Sequence, residues 1–228
     1  MFWWDPTYIL VIIGALISGI AALNVKSTFN KFSQYTTVNR MTGAQVAQKM
    51  LHDAGIYDVT IGRVSGSMTD YYAPNEKMLH LSETVYDSTS VAAVGVAAHE
   101  CGHAIQHHEN YAPLTLRNSI VPIVNIGSTL AWPLILLGII FGMTGLARFG
   151  VILFSLMVIF QLITLPVEFN ASSRALRVLS GSGILMEGEV GGARKVLNAA
   201  ALTYVAALLS TILQLLRLVI LTRGSRRD

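Results

Sequence analysis

The sequence predicts a mostly α-helical membrane protein: about four transmembrane helices, with a small α+β domain between the first and the second. Three observations predict it. Hydrophobic residues make up 53% of the 228 and charged residues only 13%, against about 25% charged in an ordinary soluble domain. Mean hydropathy is +0.55, and so few charges cannot coat a water-facing surface. Four apolar runs approach or reach the ~20 helical residues that a hydrocarbon core requires. Between the first and second of them the chain turns polar and acquires turn signals, Asp53-Ala-Gly55, Ser65-Gly-Ser67 and Ala73-Pro-Asn75.

The first run, Tyr8 to Asn24, makes residues 8–24 an anchor. Only Asp5 is charged before it, so the basic flank of a cleaved signal is missing. Phe2, Trp3, Trp4 and Tyr8 gather at its start, as interfacial aromatics do. Residues 25–118 form the polar domain. Thr42 caps a helix running to Ala54, with Val46, Met50 and Leu51 at helical spacing. Tyr57 to Arg63 and Lys77 to Leu81 read as short strands. Ser88 to His108, rich in alanine and free of proline, reads as one helix. Residues 119–168 hold two apolar runs, Ile120 to Met143 and Phe149 to Val167. The short link Thr144 to Arg148 makes them a helical hairpin. A polar segment, 169–196, leads to the last span at 197–222 and a basic tail at 223–228.

The net charge of +3 does not point to nucleic acid, because Lys and Arg sit beside apolar runs, where they set topology. In a four-span arrangement Lys26, Lys31, Arg40, Arg117, Arg174, Arg177, Arg194 and Lys195 share one side. Arg148 and the tail residues Arg223, Arg226 and Arg227 lie on the other. The bias places the polar domain in the cytoplasm, on a bacterial plasma membrane, with the lipid bilayer as a partner. Cys101 is the single cysteine, so neither an intrachain disulfide nor a cysteine-rich metal site can form.

The chemistry centres on His99-Glu-Cys-Gly-His103, an HExxH motif. Residues four apart on a helix share a face, so both imidazoles reach one ion, and neutral imidazole suits zinc. Glu100 lies beside them as general base. Zinc would acidify a water and polarise a substrate carbonyl, which makes peptide hydrolysis the expected reaction. The run from Val91 to Ala98 marks a packed helix, where two histidines and a glutamate without partners would be costly.

A catalytic zinc needs a third protein ligand and an open position. The pattern HExxHxxGxxH fails, since position 106 is Gln106 and position 109 is Glu109. An aspartate from a later membrane helix fails too, since no Asp lies between Asp87 and Asp228. Glu109, Glu168, Glu187 and Glu189 remain. Glu168 stands out at the end of an apolar run, in LPVEFNASSRAL, where a carboxylate is expensive unless paired or metal-bound. A hairpin that crosses the membrane twice also returns Glu168 to the side of the polar domain.

HECGH followed by EFNAS after a membrane hairpin resembles the membrane gluzincins, the HtpX-like and CAAX prenyl proteases. The stretch from Asp70-Tyr-Tyr-Ala-Pro through KMLHLSETVYDSTSVAAVGVAAHECGHAIQH, together with LPVEFNASSRAL, is similar almost throughout to the YugP-like membrane zinc metallopeptidases. This resemblance covers most of residues 68 to 180. It implies a zincin-like domain, one Zn2+ per chain, His99, His103 and Glu168 as ligands, and endopeptidase activity on a protein or peptide. The site's position suggests membrane-anchored substrates. The E-F/Y-x-A-D segment of the relatives ends here in Ser172, which supports a zinc histidine less strongly than aspartate.

Several residues complete the expectations. His107, Arg174 and Tyr72 are candidates for stabilising the transition state, and Ser172 for supporting a ligand. Lys77, Met78, Leu79, His80 and Leu81 are expected to form an edge strand that binds an extended peptide by strand addition. Cys101 points away from the ligand face and belongs to the core. Two rival readings remain. One is an inactive zinc-bearing scaffold that binds a partner. The other is a transporter-like bundle, which the absence of a charge at the centre of any span disfavours.

Overall fold

The computed structural model describes residues 5–224. The aromatic cluster Phe2, Trp3 and Trp4 lies outside the described residues, as does the end of the basic tail with Arg226 and Arg227. Seven helices and three strands follow in order: α1 Tyr8–Phe32, α2 Gly43–Asp53, β1 Thr60–Val64, β2 Tyr71–Ala73, β3 Met78–Ser82, α3 Glu83–Tyr86, α4 Val91–His108, α5 Ala112–Ile140, α6 Thr144–Gly181 and α7 Glu187–Gly224. Four of them, α1, α5, α6 and α7, are long and apolar enough to cross a membrane. With the three-stranded sheet, this is the mostly α membrane protein with a small α+β part that the sequence predicts.

The chain divides into two compact units. One comprises residues up to 22, 116–165 and from 203 onward; the other comprises 23–115 and 166–202.

In the first unit small residues let helix backbones approach, the means by which helices associate in lipid. A Cβ on Gly138 of α5 would strike the backbone nitrogen of Ala147 on α6. One on Gly150 would come within 2.9 Å of the Ala131 carbonyl oxygen. Ala131, Ile135, Val151, Phe154 and Leu218 are buried together. Ser210 of α7 donates to the Gly14 carbonyl at 2.7 Å and lies 2.8 Å from the Ser18 hydroxyl on α1. Arg217 pairs with Asp5 at 3.4 Å and lies over the Tyr8 ring. Ile123, Ile126, Leu130, Ile139 and Ile140 of α5 point outward and exposed, as lipid-facing side chains do.

In the second unit α2 begins with a full capping box. Thr42 accepts from the Gln45 backbone at 3.2 Å, and the Gln45 side chain accepts from the Thr42 backbone at 3.0 Å. Val46, Ala47, Met50 and Leu51 bury one face of α2 in a core shared with Leu79, Leu81, Val94, Ala97, Ala98 and Cys101. The sheet order is β1-β3-β2, with β1 parallel and β2 antiparallel to β3.

This order corrects one expectation. The segment Lys77 to Leu81 is not an edge strand. Met78, Leu79, His80 and Leu81 form the central strand, whose backbone groups pair on both sides. Lys77 precedes it in a turn with φ +48°. The physical reason is burial: Leu79 and Leu81 have no exposed surface, and a strand whose alternate residues are fully covered belongs in the middle of a sheet. The edges are β1 and β2, and the three-residue β2 is too short to be read from sequence.

Candidate metal centre

The centre begins with α4. Ser90 caps it, accepting from the Ala93 backbone at 3.2 Å. Ala97, Ala98, Cys101, Gly102 and Ala104 are all buried, so one side of α4 is nearly flat. At Gly102 the approach of α6 is closest: an added Cβ would stand 2.6 Å from the Ala171 carbonyl oxygen. The cysteine between the ligands is packed inward with its sulfur 3.6 Å from the Ala47 carbonyl.

That close approach brings a carboxylate from α6 to two imidazoles on α4. His99, His103 and Glu168 each offer a ligand atom, and these atoms lie within 4.8 Å of one another. Glu168 Oε2 is 3.2 Å from His99 Nε2 and 3.6 Å from His103 Nε2. A tetrahedral ion with bonds of about 2.0–2.1 Å holds its donors roughly 3.3 Å apart, so both spacings fit zinc. Two imidazole nitrogens and one carboxylate oxygen are also the donor set of a catalytic zinc, which leaves a fourth position open. Glu168 is 3% exposed, and a carboxylate buried that deeply demands positive partners.

The other ring nitrogens are held as well. Ser172 Oγ lies 3.1 Å from His99 Nδ1, which is where the sequence places the relatives' aspartate. Gln106 Oε1 lies 3.0 Å from His103 Nδ1. Gln106 Nε2 donates to the Val167 carbonyl at 2.8 Å and to Asn170 Oδ1 at 3.0 Å. Sequence reading missed Gln106 and Asn170. The available signal was a glutamine one turn after the second histidine, on a helix otherwise lined with alanine and glycine.

Glu100 is buried. Burial pushes its carboxyl above the ordinary range, against the lowering pull of His99 and His103. Asp70 lies near enough to push it further in the same direction, and is itself held by the Ser82 backbone and hydroxyl at 2.7 and 2.9 Å.

The remaining candidates are placed as follows. His107 Nδ1 lies 2.9 Å from the Tyr72 hydroxyl. Both line a cavity of about 100 Å³ with Ala104, Asp58 and Lys77. Arg174 is engaged elsewhere, with Asn170 and with Glu109, both at 2.6 Å, so the structure does not bring it to the histidines. The same ion pair removes Glu109 as a rival ligand. Glu189 is likewise spent on the backbones of Val38 and Met186.

A helical membrane chain with a His-His-Glu centre on two crossing helices defines the class, and the family comparison agrees with it. Residues 7–223 match the model of a family described as "Putative neutral zinc metallopeptidase", and the chain belongs to that family. It is 46% identical over 222 residues to the "Putative membrane protease YugP" of Bacillus subtilis (strain 168), which covers 97% of this chain and 99% of that protein. No solved structure matches. The chain is thus an integral membrane protein of a zinc metallopeptidase family.

Proposed function

We propose that this chain is a membrane-anchored zinc endopeptidase with Glu100 as its general base. The observation that carries the proposal is the convergence of His99, His103 and Glu168 to within 4.8 Å, beside a buried Glu100. Those three residues would hold one zinc per chain. When bound, zinc supplies a Lewis acid that polarises the scissile carbonyl and acidifies water. Glu100 takes a proton from the attacking water on its carboxylate. It then gives that proton to the leaving amine nitrogen as the peptide C–N bond breaks. Burial raises the proton affinity of Glu100, the direction a general base needs.

Two features bear on the substrate. β2 is an edge of the sheet, and Tyr72 of β2 is bonded to His107 of α4. An extended peptide adding to β2 would pass beside the helix that carries the ligands. Tyr72 and His107 are then the side chains suited to hold the carbonyl oxygen as charge develops on it. Glu168 follows directly on the apolar stretch of α6, which supports substrates tethered to the membrane. The Lys and Arg bias supports a site facing the cytoplasm of a bacterial plasma membrane. The inactive-scaffold alternative is less well supported, because three protein ligands leave a position for substrate.

The test is zinc content and peptide cleavage on detergent-purified protein. Wild type should hold one zinc. Glu168→Ala should lose it. Glu100→Gln should keep it while cleavage falls by about 100-fold or more. A wild type that binds no metal, or a fully active Glu100→Gln, overturns the proposal. Equal cleavage of soluble unfolded chains and membrane-tethered ones would remove the substrate assignment alone.

A further inference from the structure

We infer that Gln106 is the positioning residue of the zinc centre: it fixes the His103 ring with Nε2 free for the metal, and ties that ring to the helix carrying Glu168. The inference rests on the zinc peptidase reading above.

Gln106 has no exposed surface, so its amide must find its partners inside the protein. Two oxygens face one end of that amide. The Val167 carbonyl can only accept. The Asn170 oxygen already accepts from Arg174 Nε at 2.6 Å, so it too is an acceptor. The –NH2 end of Gln106 must point at them, at 2.8 and 3.0 Å, which leaves Oε1 facing His103 Nδ1 at 3.0 Å. An amide oxygen carries no hydrogen, so Nδ1 must donate. The neutral ring then keeps its lone pair on Nε2, the atom 3.6 Å from Glu168 Oε2.

Ser172 cannot do the same for His99, because a hydroxyl both donates and accepts and so selects neither form of the ring. Gln106 does more. Val167 immediately precedes Glu168, so one side chain grips the second ligand on α4 and the backbone carbonyl next to the third ligand on α6. It therefore sets both the tautomer of one ligand and the separation of two.

The experiment uses full-length protein in detergent, stripped of metal. Zinc affinity is read by competition with a chromophoric chelator, and geometry by the visible spectrum of the cobalt-substituted protein. Thermal unfolding of the metal-free form reports folding. Gln106→Met keeps the volume and removes every hydrogen bond. It should weaken zinc binding by about 10–100-fold, the usual loss for a partner behind a metal ligand, and should shift the cobalt spectrum. Gln106→Glu restores an acceptor for His103 but sets a carboxylate against two acceptor oxygens. It should bind zinc more tightly than Gln106→Met although its metal-free form is less stable. If Gln106→Met matches wild type in zinc affinity and loses only thermal stability, Gln106 is a packing residue and the inference is overturned. A Gln106→Glu variant that binds no better than Gln106→Met overturns it as well; if Gln106→Met does not fold, Gln106→Glu is compared with wild type, and a zinc affinity lowered by about 10-fold or more despite the restored acceptor overturns it. A wild type that itself holds no zinc is a separate failure, seen without any variant, and strikes the peptidase reading first.

Discussion

At Gly102 two physical preferences oppose each other. Alanine is favoured over glycine within a helix by about 1 kcal/mol, so propensity alone predicts that Gly102→Ala stabilises the protein. Its Cβ, however, would sit 2.6 Å from the Ala171 carbonyl oxygen, a backbone atom that cannot swing aside. Separating α4 from α6 there costs about 1–3 kcal/mol by overpacking, and it moves the histidines away from Glu168. Gly102→Ala should therefore unfold at lower temperature and bind zinc more weakly, measured by thermal melting and chelator competition. Gly191→Ala is the control. Its Cβ would meet nothing within 4 Å, so it should gain about 0.5–1 kcal/mol. A Gly102→Ala variant that behaves like the control would refute the close-packing argument. The same contrast shows what single residues disclose in sequence. His99 and His103 were readable because helical spacing alone makes them face one ion. Glu168 was readable because depth in an apolar run makes a carboxylate conspicuous. Gln106 was not, because nothing in its spacing states which atoms from a helix sixty residues later will meet its amide.

Among the elements, those whose signal is local were read best. The α2 helix was expected from Thr42 and a stripe at 46, 50 and 51, and it forms with its box closed by Gln45. Thr42→Ala should cost about 1 kcal/mol, read by denaturant unfolding, with zinc affinity unchanged. No loss of stability would show that the capping bonds contribute nothing. The four apolar runs fall within helices that extend beyond them: α6 continues to Gly181 and α7 begins at Glu187. A helix ends where its backbone bonds end, and a polar face in water does not interrupt them. The expected polar segment 169–196 is therefore two helix ends and a short turn. Strands are legible at 57–63 and 77–81, but β2 and the order of the sheet are not. Sheet order depends on contacts between distant segments, which alternation within one strand does not encode.

At the scale of the whole molecule, the Lys and Arg pattern supports the orientation proposed above. Near the tail, Arg217 pairs with Asp5 at 3.4 Å. A thiol scan can test the orientation directly in the native background. Cys101 is fully buried, and burial together with the Glu100 charge pushes its thiol up, so folded wild type should not react with a maleimide. Ser182→Cys, exposed in the turn between α6 and α7, should be labelled by a membrane-impermeant maleimide in inverted vesicles and spared in intact cells. Labelling in intact cells would reverse the topology.

The separation of the ligands along the chain has a consequence for biosynthesis. Glu168 follows His99 by 69 positions, and an entire apolar hairpin intervenes. With the proposed ligand set, a nascent chain that has emerged only as far as HECGH presents two imidazoles without Glu168. The centre can assemble only after the ribosome has delivered the hairpin and α6 has docked on α4. Until then the proposed peptidase would be inactive toward itself and toward the insertion machinery around it.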